Sequence, residues 1–379
     1  MARGSFMVHP CSAGARTGVE GVVRTLGSVT ELYVRASLGR GDGTAEQVRQ
    51  ILSAAAALLR EHAAVPVQER VFAPPPMRQL IAGARQAALG DIDDGVEPAW
   101  LAAPDDGAAA GVQIHAVAGC GRPRVLAVDG VPCGRLVSSG DGCWLFGSNI
   151  RAPGEGPPAA QAAGMFWRAE ALLRQAGGSL HHVARTWLWL GGILDWYGEL
   201  NRVRNELFKS RGLLAADGTG QLPASTGIGV RPFGSARCAM DLVAVLAGER
   251  PKFLLRGGRQ GAASAYGSAF SRAAVVPTPA GRAIYVSGTA AIDAAGRTTH
   301  VGDIGGQIEA TLDNMHAALA DAGGRPEQIV QSIAYCKTPQ VQAAFEAKWA
   351  DRLPRCLVVQ ADVCRPELLF EVEATAMER

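Results

Sequence analysis

The chain has 379 residues, 48% hydrophobic and 19% charged, which is enough to bury a sizeable core and too apolar for a disordered chain. Its formal net charge of +2, with both signs scattered, excludes electrostatic capture of a polyanion, so no nucleic-acid partner is expected; a small anion held by a few arginines is compatible. Eight cysteines without CxxC pairs or Cys/His clusters argue against disulfides and a metal site, and the lack of an apolar leader or of ~18 consecutive apolar residues points to a cytoplasmic protein with no membrane span.

In chain order, "ELYVRASL" alternates as a strand, "AEQVRQILSAAAALLREH" has helical spacing, and "PVQERVFA" and "GVQIHAVAG" are further strands. The Ala/Pro/Asp/Gly stretch from Pro98 to Ala110 is expected to be a loop insertion. "CWLFGSNI" is a strand running into Gly147 and Ser148, and a helix then ends at Gly177-Gly178. After it come the strand "VARTWLWL", the helix "WYGELNRVRNELF", the Pro-led strand "PASTGIGV" and the closing strand "MDLVAVLA". Trp187, Trp189 and Trp196 fall at core spacings and are expected to pack. "GGRQGAAS" near Gly257 predicts a mobile connector; it lacks the pattern of a phosphate loop.

The last third repeats the order of the middle. "IYVSGTAA" resembles "CWLFGSNI", with Gly288 and Thr289 matching Gly147 and Ser148. A helix ends at Gly323-Gly324, followed by "IVQSIAYC", "PQVQAAFEAKWADRL", "PRCLVVQADV" and "FEVEATA". The N-terminal portion is a fainter third copy. This repeat predicts an α+β chain of two to three units, each a mixed sheet with helices on one face, divided at 1–121, 122–255 and 256–379. Three such units would pack as a pseudo-trimer around a closed, barrel-like core, satisfying the assembly within a monomer. In this alignment Glu371 matches Asp241 and about Gln113, and Glu373 matches Val243 and His115. Only the last unit then has two acids on one strand face. By spacing alone, such a pair fits a solvated face or arginine partners as well as it fits a site.

"YVSGTAAID", "ALADAGG" and "RPELLFEVEATA" resemble the YjgF/RidA superfamily. "RTWLWLGGILDWYGELNRVRNELF", "LPASTGIG", "SAYGSAFSRA" and "ADVCRPELLFEVEATA" together resemble the chorismatases of the 3-hydroxybenzoate synthase type. The resemblance implies cleavage of the enolpyruvyl ether of chorismate to pyruvate and 3-hydroxybenzoate, with 4-hydroxybenzoate as a possible second product, and no metal or organic cofactor. Such chemistry protonates the methylene carbon of a vinyl ether, a slow acceptor, and calls for an acid still protonated near neutral pH. A desolvated carboxyl meets that need, and Glu371 is the expected donor, with Glu373 as a supporting group.

The resemblance further implies that Cys364 selects the hydroxybenzoate outcome, by denying a water its place or by steering proton movement, so that the ring's own 4-hydroxyl acts through an epoxide-like intermediate. For the two substrate carboxylates the candidates are Arg365, Arg272 and Arg204, with Tyr266 capping the ring or binding a carboxylate; Arg202 and Arg204 also fit a solvated helix face. Ser225, Thr226, Gly288 and Thr289 offer hydroxyls and backbone N–H groups for an oxyanion. Three other readings stay open: hydrolysis of chorismate to a dihydroxycyclohexadienoate, an enamine/imine deaminase of the YjgF/RidA kind, and a binding protein that has lost chemistry.

Overall fold

The computed structural model describes residues 5–9, 18–37, 44–103 and 111–378. The first unit comprises β1 (Ser5–His9), β2 (Gly18–Leu26), β3 (Val29–Ser37), α1 (Ala45–Glu61), β4 (Val65–Ala73), α2 (Arg78–Leu89), β5 (Ala99–Ala102) and β6 (Gly111–Ala118). The second comprises β7 (Arg124–Val128), β8 (Val131–Ser139), β9 (Gly142–Ile150), α3 (Pro158–Gln175), β10 (Val183–Leu190), α4 (Ile193–Ser210), β11 (Ala224–Ile228), β12 (Arg231–Pro232) and β13 (Cys238–Ala247). The third comprises β14 (Lys252–Leu254), β15 (Ala273–Thr278), β16 (Gly281–Ala290), α5 (Ile304–Asp321), β17 (Ile329–Cys336), α6 (Pro339–Lys348), β18 (Cys356–Gln360) and β19 (Phe370–Met377). Strand β5 lies inside the stretch expected as a loop insertion, because Trp100 and Leu101 are buried and β5 pairs in parallel with β4; residues 104–110 lie outside the described residues. Among the described residues no helix is long and apolar enough to cross a membrane.

Local sequence explains the helices. Thr44 and Gln47 form a capping box at the start of α1. Helix α3 buries Ala162, Met165, Phe166, Ala169, Leu172 and Leu173, and α5 buries Ile308, Leu312, Met315, Ala318 and Leu319, in each case one stripe at three-four spacing. Each stripe ends at a Gly pair for two reasons. Gly177 and Gly323 take φ of +80° and +87°, and a side chain at Gly178 or Gly324 would collide with Leu246 or Leu319.

The strands form three mixed sheets in one repeated order: β1-β2-β3-β6-β4-β5 with β12 added at the edge, β7-β8-β9-β13-β10-β11, and β14-β15-β16-β19-β17-β18. Helices cover the outer face of each sheet, and the three inner faces meet in one core containing Tyr33, Phe72, Phe146, Trp187, Trp189, Tyr285 and Tyr335. The expected closed barrel does not form. The sheets meet face to face through side chains rather than joining edges in one continuous ladder.

The ladders correct the repeat alignment. The strand beside each closing strand carries one bulge, followed by Gln68 in β4, Arg185 in β10 and Gln331 in β17, which are therefore equivalent. Counting from them, Glu373 is equivalent to Asp241 and Gln113, whereas Glu371 is equivalent to Ala239 and Gly111. The closing strands were thus misaligned by two residues. The first hairpins were shifted likewise: Gly147 is equivalent to Val286, and Asn149 to Gly288. A shift of two keeps every side chain on its face, so alternation gives no warning.

The inner faces carry polar groups that reach partners in a neighbouring unit. Arg70 pairs with Asp241 at 3.0 Å and stacks on Trp187 with its guanidinium carbon 3.8 Å from the ring centre. Arg185 pairs with Glu373 at 2.8 Å. Gln68 donates to the carbonyls of Gly147 and Leu242, and Gln331 to those of Val34 and Ile114. Removing one partner of a buried pair strands the other. Asp241→Ala is expected to lower unfolding free energy by about 3–5 kcal/mol, while Glu206→Ala, which breaks an exposed pair with Arg202, leaves it nearly unchanged; urea denaturation of both compares them directly.

Candidate active site

A cleft of about 740 Å³, part of it continuous with solvent, opens between the second and third units. Helix α4 presents Tyr197, Asn201 and Arg204, whose spacing of four and three puts them on one face. The parallel edge strand β11 adds Ser225 and Gly227, which alternate onto the same side. The third unit supplies Tyr266, Ser268, Phe270 and Arg272 from the segment before β15, Gly288 and Ala290 from β16, and Cys364, Arg365 and Glu371 at or before β19.

Glu371 is 4% exposed, and its carboxyl has no hydrogen-bond partner among the described residues. Burial first, and the charge of Glu373 second, push its pKa up to about 8, against the opposing pull of Arg185 and Arg272. It is therefore a neutral acid at pH 7. Room for it comes from the chain opposite. Strand β16 has a bulge between Val286 and Thr289, and any side chain at Gly288 would collide with the Glu371 Oε1.

Three arginines share the cleft wall with the acid. Arg272 donates through Nε to the Gly261 carbonyl at 3.0 Å and through Nη2 to the Tyr266 hydroxyl at 2.5 Å. Arg204 donates to the Asn201 side chain at 2.6 Å, and its Nε is buried without a partner. Arg365 donates to the Gly296 carbonyl at 2.8 Å and lies 5.4 Å from the Tyr266 ring centre. None of the three meets a carboxylate partner among the described residues. The Cys364 thiol is pushed up to about 12, by burial and then by Glu371, so it is neutral. The cleft thus combines a protonated carboxyl, a protonated thiol and three guanidinium groups, an arrangement able to hold a small anion and to supply it a proton.

Residues 262–378 match the family described as Endoribonuclease L-PSP. A crystal structure of a chorismatase superposes with a TM-score of 0.60 over 75% of this chain and 88% of that chain, at 22% identity. The chain has the chorismatase fold. Single-unit structures also match: the YjgF gene product of E. coli (23% identity, 34% of this chain and 100% of that one, TM-score 0.27) and yeast Mmf1 (21%, 32% and 94%, 0.27). The architecture is that of three YjgF/RidA-like units in one chain, and the cleft lies between two of them.

On this chorismatase-type fold the cleft gathers Glu371, Cys364, Arg365, Arg272, Tyr266, Arg204, Ser225 and Gly288 of the expected residues. Thr226 and Thr289 do not line it: the Thr289 hydroxyl donates to the Ser287 carbonyl, and the Thr226 hydroxyl accepts from Arg185 and from the Gly288 N–H. The expected backbone donors are spoken for as well, since Ser225 N–H donates to the Ser287 hydroxyl. Arg202 stays on the solvated face of α4, paired with Glu206. The "GGRQGAAS" segment is pinned rather than mobile: Gly258 N–H donates to Asp321, and buried Gln260 bonds the carbonyls of Ala290 and Ile292. Trp187 and Trp189 are core residues as expected, yet Trp187 also donates to Glu373. Tyr197 and Asn201 were missed, although their helical spacing to Arg204 was a usable signal. One group of possible metal ligands occurs among the described residues, His9, Glu61 and His62; it belongs to the first unit and lines no part of the cleft, and its two imidazole Nε2 atoms, 3.1 Å apart, share a hydrogen bond.

A carboxyl raised from 4.5 to about 8 stabilises the fold below pH 4.5, and that contribution fades as pH rises through 8, where the native state must ionise it. Wild-type stability, read by urea denaturation, is expected to fall between pH 5 and 8.5 more steeply than that of Glu371→Gln. Parallel pH curves would rule out a raised pKa.

Proposed function

We propose that the chain cleaves the enolpyruvyl ether of chorismate to pyruvate and 3-hydroxybenzoate, alone or together with 4-hydroxybenzoate, in the cleft between its second and third units. The observation that carries this reading is a buried, neutral Glu371 facing a cleft with three arginines that lack carboxylate partners. The chorismatase fold supports the substrate class.

Chorismate brings two carboxylates, which suit Arg204, Arg272 and Arg365, with Tyr266 and Phe270 against the ring. Glu371 gives its proton to the methylene carbon, and the vinyl ether becomes an oxocarbenium ion. The ring 4-hydroxyl oxygen then attacks C3 and displaces pyruvate, and its proton returns to the Glu371 carboxylate. The C4–O bond of the resulting epoxide opens and leaves the oxygen on C3, the ring loses its C3 proton, the oxygen takes up a proton, and 3-hydroxybenzoate forms. The two products together contain the atoms of chorismate, so no water is consumed. The neutral, half-buried Cys364 thiol in the cleft wall activates no water and occupies space one would take. The closing-strand position of Glu371 is Ala239 and Gly111 in the other units, which supports a single working site rather than three equivalent deaminase sites. One chain supplies both walls, which supports a monomer.

Purified protein incubated with chorismate without added metal is expected to release pyruvate, read by a coupled lactate dehydrogenase assay. Glu371→Gln is expected to lower kcat at least about 100-fold while chorismate still raises its melting temperature; full activity in that variant removes Glu371 from its role. Chorismate left intact by folded wild type refutes the reading, and ammonia release from 2-aminoacrylate would point to the deaminase instead. For Cys364→Ala the chromatogram is expected to shift from hydroxybenzoate toward the dihydroxycyclohexadienoate, and an unchanged product ratio would remove Cys364 as selector.

A further inference from the structure

The three unit interfaces share one backbone plan and differ at matched positions. After the bulge, the first unit has Gln68 and the third has Gln331, and each side-chain amide ties down two backbone carbonyls of the next unit. The second unit has Arg185 at this position. Its Nη2 ignores the backbone and donates to the Thr226 hydroxyl at 2.6 Å and to Glu373 at 2.8 Å. The position of Thr226 changes in step. Thr226 pairs with Trp187 in the parallel ladder, and its equivalents are Ala99 and Leu357. Thr226 in turn accepts the N–H of Gly288, the bulge residue that lies against the Glu371 carboxyl. At the interface of the third and first units, Leu357 crowds the Cβ direction of Gly111, the counterpart of Glu371.

We propose that Arg185 and Glu373 are positioning residues for Glu371: the chain Glu373–Arg185–Thr226–Gly288 fixes the bulge against which the acid rests and sets the charge beside it. This rests on the function proposed above. Gln at position 185 would hold the hairpin, as Gln68 and Gln331 do, but would neither neutralise Glu373 nor reach both side chains. The charged and titratable groups around Glu371 are Glu373 on its own strand, Arg185 on β10, Tyr335 on β17, Tyr197 on α4, Arg272 before β15 and Cys364 before β19. Arg204 and Arg365 complete the cleft wall. Of these, Arg185 and Glu373 form the one ion pair, so a change in either alone alters the balance at Glu371.

The test uses the full chain and two readouts. Infrared titration of the protonated carboxyl, with Glu371→Gln as blank, needs no substrate; pyruvate release from chorismate gives kcat and KM. Glu373→Gln removes a negative charge and keeps the shape, so the Glu371 midpoint is expected to fall by about one pH unit or more, and the alkaline limb of kcat with it. Arg185→Gln installs the residue of the other two interfaces. Its kcat is expected to fall about tenfold or more with KM within about threefold, and Arg185→Lys to recover part of the loss. An unshifted midpoint in Glu373→Gln together with wild-type kcat in Arg185→Gln overturns the proposal, as does a rise in KM alone. If Arg185→Gln melts too low to assay, Glu373→Gln decides. Wild type that releases no pyruvate but shows the infrared shift refutes the proposed function and leaves the positioning device standing; pyruvate release with unchanged variants does the reverse.

Discussion

Each sheet has two faces to bury, and its own helices cover only one. The other must be covered by the other two sheets. This constraint makes the inner core common property of the three units, and several polar side chains there find a partner across a boundary. Arg70 with Asp241, Arg185 with Glu373, and the two glutamines on backbone carbonyls are the solutions. None of these groups is satisfied within its own unit alone, so the units are bound to one arrangement by unmet hydrogen bonds as well as by apolar area.

The same constraint explains how one interface became different. Three boundaries of common geometry are free to diverge because one chain encodes each separately. Two carry amides and apolar side chains at the matched positions, one of them with the Arg70–Asp241 pair alongside. The third has an arginine, a threonine and an acid where the others have glutamine, Ala99 or Leu357, and Ala239 or Gly111. The exchange of packing for polarity opens a cleft, and burial then does the chemical tuning. Glu371 is buried without a donor among the described residues and its pKa is raised, while Glu373, two residues on and equally buried, accepts from Arg185 and Trp187. Two like residues on one strand face thus have different surroundings: one lacks a hydrogen-bond partner among the described residues and the other is paired.

Much of this was legible in the order of residues. Helices ending in Gly pairs, strands following them and a repeated closing strand gave the α+β units, since helix stripes and strand alternation are local. The acid, the thiol and the three arginines were legible as candidates because several motifs kept one order. Tyr197 and Asn201 escaped because an amphipathic helix has polar residues on its flanks in any case, and only the neighbour it packs against gives one flank meaning.

By itself the sequence determined which residues alternate, which helices stop and which unit carries paired acids. The tertiary structure alone decided the register between repeats, because a two-residue shift leaves every side chain on its own face and only the bulges break the tie. It also decided that Glu371 is buried at the wall of a cleft rather than set on a solvated sheet face. Burial depends on the second unit's α4 and β11, more than 100 residues away in the chain, and no local pattern around "FEVEATA" contains that information.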